Sequence, residues 1–190
     1  VEIYDTTLRD GAQAEGISYS IQDKLRIAGA LAELGVAYIE GGWPNPTHQV
    51  DVEFFTRAAQ QDLGGSKLAA FGSTRRADRA AGDDPQLQAL VASGAPVITI
   101  FGKSWTIHVD EVLRVSREAN LEMIADSVAW LAQHAEQVIF DAEHFFDGFA
   151  TDREYALAAL VAAAEAGAAR VVLCDTNGGT LPAAIEAAVR

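Results

Sequence analysis

The sequence has a single cysteine, Cys174. One thiol excludes an internal disulfide framework and a zinc cluster built from cysteines alone, and it fits a reducing compartment. Clustered cations are missing too: 14 Lys and Arg stand against 27 Asp and Glu, a net charge of −13. Nucleic acid and anionic membrane surfaces both attract basic patches, so neither is an expected partner. A small anionic molecule remains compatible, because a local pocket can oppose the global field. No apolar run reaches the roughly 18 residues of a membrane span, and no basic-then-apolar segment marks a leader. The expectation is a cytoplasmic protein. The usual nucleotide fingerprints, GxGxxG and Walker A, are absent, and without HxxxH or HExxH no complete zinc site assembles from motifs.

What is present is a repeat. Continuous apolar runs at 1–7, 36–42, 67–73, 96–103, 137–144 and 169–179 alternate with helical patterns at 20–35, 51–64, near 85–93, 117–134 and 152–167. A sixth helix starts at 181 or 182. Ser20 suits an N-cap with Asp23 in the first turn, and Gly35 suits the stop. Strands that are apolar throughout, rather than alternating, are covered on both faces. Six β/α units at roughly 30-residue spacing predict a parallel sheet wrapped by helices. An open doubly wound sheet and a (β/α)8 TIM barrel both satisfy that pattern. Polar residues cluster where the strands end: Asp5 to Asp10, Glu40, Ser73 to Arg76, Lys103, Glu143 with His144, and Asp175 to Asn177. A barrel brings all those ends to one face, whereas an open sheet brings together only those at its switch point. The expectation is therefore a barrel. A complete one takes about 250 residues and eight units, so 190 residues predict its N-terminal portion.

Several residues carry two readings. Arg9 and Asp10 close the first strand, and Gly11 permits a sharp turn or a close ligand approach. A metal-binding carboxylate beside a guanidinium would activate a carbonyl; a salt-bridged strand cap uses the same two residues. Glu143 and His144 end the run that contains Asp141. A buried acid needs a partner, which could be a metal, a substrate or a loop cation. The stretch "DTNGG" (175–179) suits a bound carboxylate near a helix start, and equally a tight turn. A lone histidine such as His108 is more often structural than catalytic. His48 and His134 read as structural. Phe54, Phe55, Trp130, Phe145, Phe146 and Phe149 read as packing, and Cys174 as a small buried residue.

Six stretches in order carry a resemblance: "DTTLRDGAQ" (5–13), "YIEGGWPNP" (38–46), "AFGSTRRA" (70–77), "TIFGKSW" (99–105), "DAEHFFDGF" (141–149) and "LCDTNGGTLP" (173–182). Together they resemble the α-isopropylmalate synthase and homocitrate synthase family of metal-dependent Claisen-condensing TIM barrels, whose relatives include hydroxymethylglutaryl-CoA lyase. The last five are similar to its (R)-citramalate synthase-type branch. The resemblance implies an acyltransferase that joins the acetyl group of acetyl-CoA to pyruvate, hydrolyses the thioester and releases (R)-citramalate and CoA, towards isoleucine. A synthase using another 2-oxo acid, a related acyl-CoA lyase and a non-catalytic barrel piece are the alternatives.

Residue by residue, the resemblance implies that Asp10 ligates a divalent metal (Mg, Mn or Zn) and that Arg9 stabilises the enolate or oxyanion. Gln13 would lie near the substrate, and Glu143 would be the fifth-strand acid of the metal and substrate region. His108 would serve acid–base work, and Thr176, with Asn177 beside it, would hold the keto acid carboxylate. Arg75, Arg76 and Lys103 would offset the charge of coenzyme A. Small 2-oxo acids and acetyl-CoA are the implied partners, and a homodimer the implied full-length state. The family takes two further metal ligands from an HxH motif on its seventh strand, and no HxH occurs here. The expectation is that 1–190 lack the last two β/α units and any regulatory domain, and are inactive alone.

Overall fold

The computed structural model describes residues 1–45 and 47–190. Pro46, the end of the second resembling stretch, lies outside the described residues. The six expected strands form one sheet: β1 (Tyr4–Asp5), β2 (Tyr38–Gly42), β3 (Lys67–Ser73), β4 (Val97–Lys103), β5 (Gln137–Glu143) and β6 (Arg170–Leu173). Each pairs in parallel with the next in chain order, and the order never reverses. A doubly wound sheet must reverse at its switch point. Unreversed order is barrel topology, and the fold is α/β, six consecutive β/α units of a (β/α)8 barrel.

Helices α1 (Ile21–Leu34), α2 (Gln49–Ala58), α3 (Pro85–Ala92), α4 (Arg117–Leu131), α5 (Phe145–Thr151), α6 (Arg153–Glu165) and α7 (Pro182–Val189) connect or follow the strands. Their starts follow local chemistry. The Ser20 hydroxyl accepts from the Asp23 N–H while the Asp23 carboxylate accepts from the Ser20 N–H, a full capping box. Asp84 accepts from the N–H groups of Gln86 and Leu87, with Pro85 at the first helical position. Gly35 ends α1 in the left-handed region at φ 84°. Among the described residues, no helix is long and apolar enough to cross a membrane.

The structure corrects two boundaries and adds two elements. The first strand, expected over 1–7, has only two ladder residues, and α2 runs 49–58 rather than 51–64. Two elements were not expected at all: α5, and a π-helical turn at His108–Leu113. Both are short, and α5 is built from aromatic residues and a glycine, which are weak helix formers. Its Phe145 and Phe146 are buried, as their packing role requires.

The continuous apolar strands divide by alternation. Ile39, Leu68, Ile98, Ile100, Val138 and Phe140 belong to the large core that includes the helices. The alternate positions Tyr38, Ala69, Val97 and Ile139 form a small separate cluster, joined by Tyr4. That second cluster is the inner layer of the barrel, and it positions everything above it.

Candidate functional site

Two residues further along the central strands, the same inward face carries Glu40, Phe71, Thr99 and Asp141. Three of these four are polar. The Tyr4 hydroxyl donates to Glu40 Oε2 at 2.7 Å and lies 2.7 Å from Thr99 Oγ1. One hydroxyl has one proton, so Thr99 donates to Tyr4. Arg9 Nε donates to the other carboxylate oxygen, Glu40 Oε1, at 2.6 Å. A chain therefore runs Thr99–Tyr4–Glu40–Arg9, and Glu40, at 0% exposure, is its buried centre. Burial pushes the Glu40 carboxyl up, and Arg9 opposes that rise. Burial, then the Glu40 charge, holds the Tyr4 phenol well above its usual range.

This chain fixes the guanidinium of Arg9. Its carbon lies 3.6 Å from the centre of the Phe71 ring, and Nη1 donates to Asp10 Oδ1 at 3.1 Å. Nη2 has no partner among the described residues. Phe71 stacks on Phe101 with centroids 5.6 Å apart, and Trp43 meets both edge-on at 5.7 and 5.8 Å. Flat cations sit well on such aromatic faces, where a lysine could not reproduce both the stack and the fork.

A cavity of about 590 Å³ opens above this floor at the strand ends. Arg9, Asp10, Gln13, Glu143 and Thr176, expected from different stretches of sequence, all line it. Glu143 is ion-paired with Lys103, and its carbonyl accepts from the Ser104 hydroxyl at 2.8 Å. Thr176 Oγ1 accepts from the His144 N–H at 2.9 Å, which leaves the threonine proton free to donate elsewhere.

His108 and Asn177 are not among the lining residues. Both belong instead to a neighbouring cluster, linked through His144 and Asp147. The His108 ring stands edge-on to His144 with centroids 4.6 Å apart, and Trp105 packs 5.0 Å from it. His108 Nδ1 is buried without a hydrogen-bond partner among the described residues. Burial, then the charges of His144 and Lys103, lower the His108 pKa. Asn177 donates to Asp147 Oδ2 at 3.0 Å, and His144 Nδ1 lies 3.2 Å from the same oxygen. His144 is the link between this cluster and the cavity, through Thr176.

Arg75, Arg76 and Lys103 do share one hollow, of about 540 Å³ beside β3 and β4. Each is already matched. Arg75 is bound by Asp126 and by the carbonyls of Arg76 and Arg79, Arg76 by Asp78, and Lys103 by Glu143.

A metal ion would find one candidate ligand here. The Asp10 side chain is 62% exposed, with one oxygen held by Arg9. Among the described residues, no group of three or more His, Cys, Asp or Glu could hold a metal. Among the described residues these do not make a metal site by themselves.

Asp141, named in the sequence only as part of the fifth run and given no role, also lines the cavity. Burial, then repulsion from Glu40, raises its carboxyl to about 7, against the pull of Arg9. Its signal was the two-residue spacing to Glu143, which puts both acids on one strand face. In an unfolded chain an aspartate titrates near 3.9. A raised folded pKa gives a contribution that is complete below about pH 4 and is lost as pH rises through about 7. The neutral Asp141→Asn variant should escape that loss. Its Tm in the intact protein should exceed the parent's at pH 8, with the gap narrowing as pH falls and closing below about pH 4. A gap equal at both pH values would contradict the shifted carboxyl.

The HMGL-like family model matches residues 1–190. The chain is 53% identical over 184 residues to the (R)-citramalate synthase of Aquifex aeolicus, covering 96% of this chain and 34% of that protein. It is 38% identical over 186 residues to the homocitrate synthase AksA of Methanopyrus kandleri, covering 98% of this chain and 44% of that protein. The crystal structure of hydroxymethylglutaryl-CoA lyase from Pseudomonas aeruginosa superposes with a TM-score of 0.78 at 22% identity, covering all of this chain and 62% of that one. At that identity the likeness is one of fold. The chain spans about a third of the length of the citramalate synthase it matches.

Proposed function

The chain belongs to the HMGL-like family, and on that premise we propose that the protein carrying it is an acyltransferase that condenses acetyl-CoA with pyruvate to give (R)-citramalate and CoA. One observation carries the choice of branch: identity is 53% over 184 residues to a citramalate synthase against 38% over 186 residues to a homocitrate synthase. The formation of citramalate places the reaction towards isoleucine.

The geometry supports roles for this chain's residues in that reaction. The acetyl methyl loses a proton, the resulting enolate attacks the acceptor carbonyl, and water then cleaves the thioester so that CoA leaves as a thiol. Negative charge develops on oxygen in the first two steps, and the Arg9 guanidinium, held by Glu40 and Phe71, is the pre-set donor for it. Thr176 has a proton to give to the acceptor's carboxylate. Gln13 and Glu143 complete the polar lining beside it. Asp10 is the carboxylate this chain would offer to a divalent cation, and the chemistry such an ion would supply, with further ligands, is Lewis-acid polarisation of a carbonyl. His108 would act through its contact with His144.

The deciding assay measures thiol release from acetyl-CoA by the intact protein with pyruvate, 2-oxoisovalerate and 2-oxoglutarate, with and without Mg²⁺ or Mn²⁺. Release with pyruvate, well above the other two and dependent on the ion, is the expected result. Preference for another acceptor would move the branch, and no release with any acceptor would end the synthase reading.

A further inference from the structure

Trp43 is the partition between two spaces. It lines the 590 Å³ cavity and also a second hollow of about 340 Å³, and it shares both linings with Arg9 and Gln13. Its ring is the edge-on support of Phe71 and Phe101, and so of the surface on which the Arg9 guanidinium lies. What holds Trp43 comes from α2, in the wall of the second hollow. Its backbone N–H donates to Asp51 Oδ2 at 2.9 Å, from the first turn of α2. The preceding residue, Gly42, has φ 151°, and a Cβ built there would stand 2.5 Å from the Asp51 carboxyl carbon. The aspartate fills the space a side chain would need. The register between β2 and β3 shifts at this point, between Glu40 and Gly42. Such irregularities re-aim side chains next to active sites.

Asp51 is itself held. Lys24 of α1, only 4% exposed, is ion-paired with it, and the ammonium lies 5.1 Å from the centre of the Phe54 ring. Buried ion pairs are weak sources of stability, since apolar residues of similar volume often do as well. Here the pair has a geometric consequence that an apolar pair would lack, an acceptor aimed at one backbone N–H.

We propose that Asp51, fixed by Lys24, is a positioning residue that sets Trp43 through its backbone and thereby the aromatic floor under Arg9. Where it concerns turnover, this rests on the reading of the cavity given above. The placement of Trp43 can be read independently.

The test compares two charge-neutral double variants of the intact protein that differ in one acceptor. Lys24→Met with Asp51→Ala removes it, while Lys24→Met with Asp51→Asn keeps an amide oxygen for the Trp43 N–H. Protein labelled with 5-fluorotryptophan gives a fluorine resonance for Trp43, assigned by its loss in Trp43→Phe. The alanine double variant should shift or broaden that resonance, leave those of Trp105 and Trp130 in place, and lower kcat/KM at least about tenfold, because small misplacements of a reacting group are costly. The asparagine double variant should keep the resonance and stay within about threefold of the parent. If the alanine double variant does not fold, Gly42→Ala displaces the same carboxylate and should move the same resonance. An unmoved Trp43 signal, or equal effects from the two variants, would overturn the proposal. A parent that releases no thiol would sink the synthase reading alone, since the fluorine comparison would still decide this one.

Discussion

Replacing Arg9 by alanine should lower kcat of the intact protein by about 10²- to 10³-fold, the loss typical when a donor to a developing oxyanion is removed. The effect should fall on kcat rather than KM, because the charge that Arg9 meets exists in the enolate and the tetrahedral oxyanion and not in the ground state. Lysine should rescue little. Arg9 uses Nε for Glu40 at 2.6 Å, Nη1 for Asp10 at 3.1 Å and its flat face for Phe71 at 3.6 Å. One ammonium cannot make those three contacts and still present a donor to the cavity. Steady-state thiol release with pyruvate measures both variants; Arg9→Ala also leaves the buried Glu40 without its cation and should lower Tm, so a native circular dichroism spectrum at the assay temperature separates lost chemistry from lost fold. An Arg9→Lys variant within fivefold of the parent would mean that charge alone, without the fork and the stack, suffices.

The strand-end pattern made much of this site legible in the sequence. Arg9, Asp10, Gln13, Glu143 and Thr176 come from three separate stretches, and a barrel was the arrangement that would join them; they line one cavity. Strands without alternation correctly implied two covered faces for β2 to β5, though Val171 and Val172 of β6 are exposed, and the same lack of alternation hid which residues point inward. Glu40 was noticed as polar and not as the fully buried partner of Arg9, because that depends on the register placing it opposite Ala69 of β3. Tyr4 and Thr99 gave no signal, since a tyrosine and a threonine are ordinary strand residues. Their 2.7 Å contact spans 95 positions of sequence. His108 was displaced from the cavity by an element that propensity does not foresee, the π-helical turn that begins at that residue. The cations Arg75, Arg76 and Lys103 looked available only because their partners Asp126, Asp78 and Glu143 could not be assigned without coordinates.

Glu40→Ala should be the most damaging single change in the inner layer, for two separable reasons. The first is stability. Removing one member of a buried pair leaves its partner's charge uncompensated, which typically costs about 3–5 kcal/mol. Here the Arg9 Nε and the Tyr4 hydroxyl both lose their acceptor. The second is placement, since nothing else described binds Nε, and a guanidinium free to turn on Phe71 no longer meets the oxyanion. Glu40→Gln separates the two. Its amide oxygen can accept from Arg9 or from Tyr4, and its size is unchanged, so most of the fold stability should return. The charge that holds the guanidinium does not return, so turnover should stay at least about tenfold below the parent, in keeping with charge-assisted bonds being roughly twice as strong as neutral ones. Tyr4→Phe removes only one donor to Glu40 and leaves Arg9 paired, so it should lower Tm with a smaller effect on kcat. Thermal unfolding and thiol release on the three variants give the order expected: alanine lowest in both, glutamine recovered in Tm alone, phenylalanine closest to the parent in kcat. If glutamine recovered both, the carboxylate would be filling space beside Arg9 rather than aiming it.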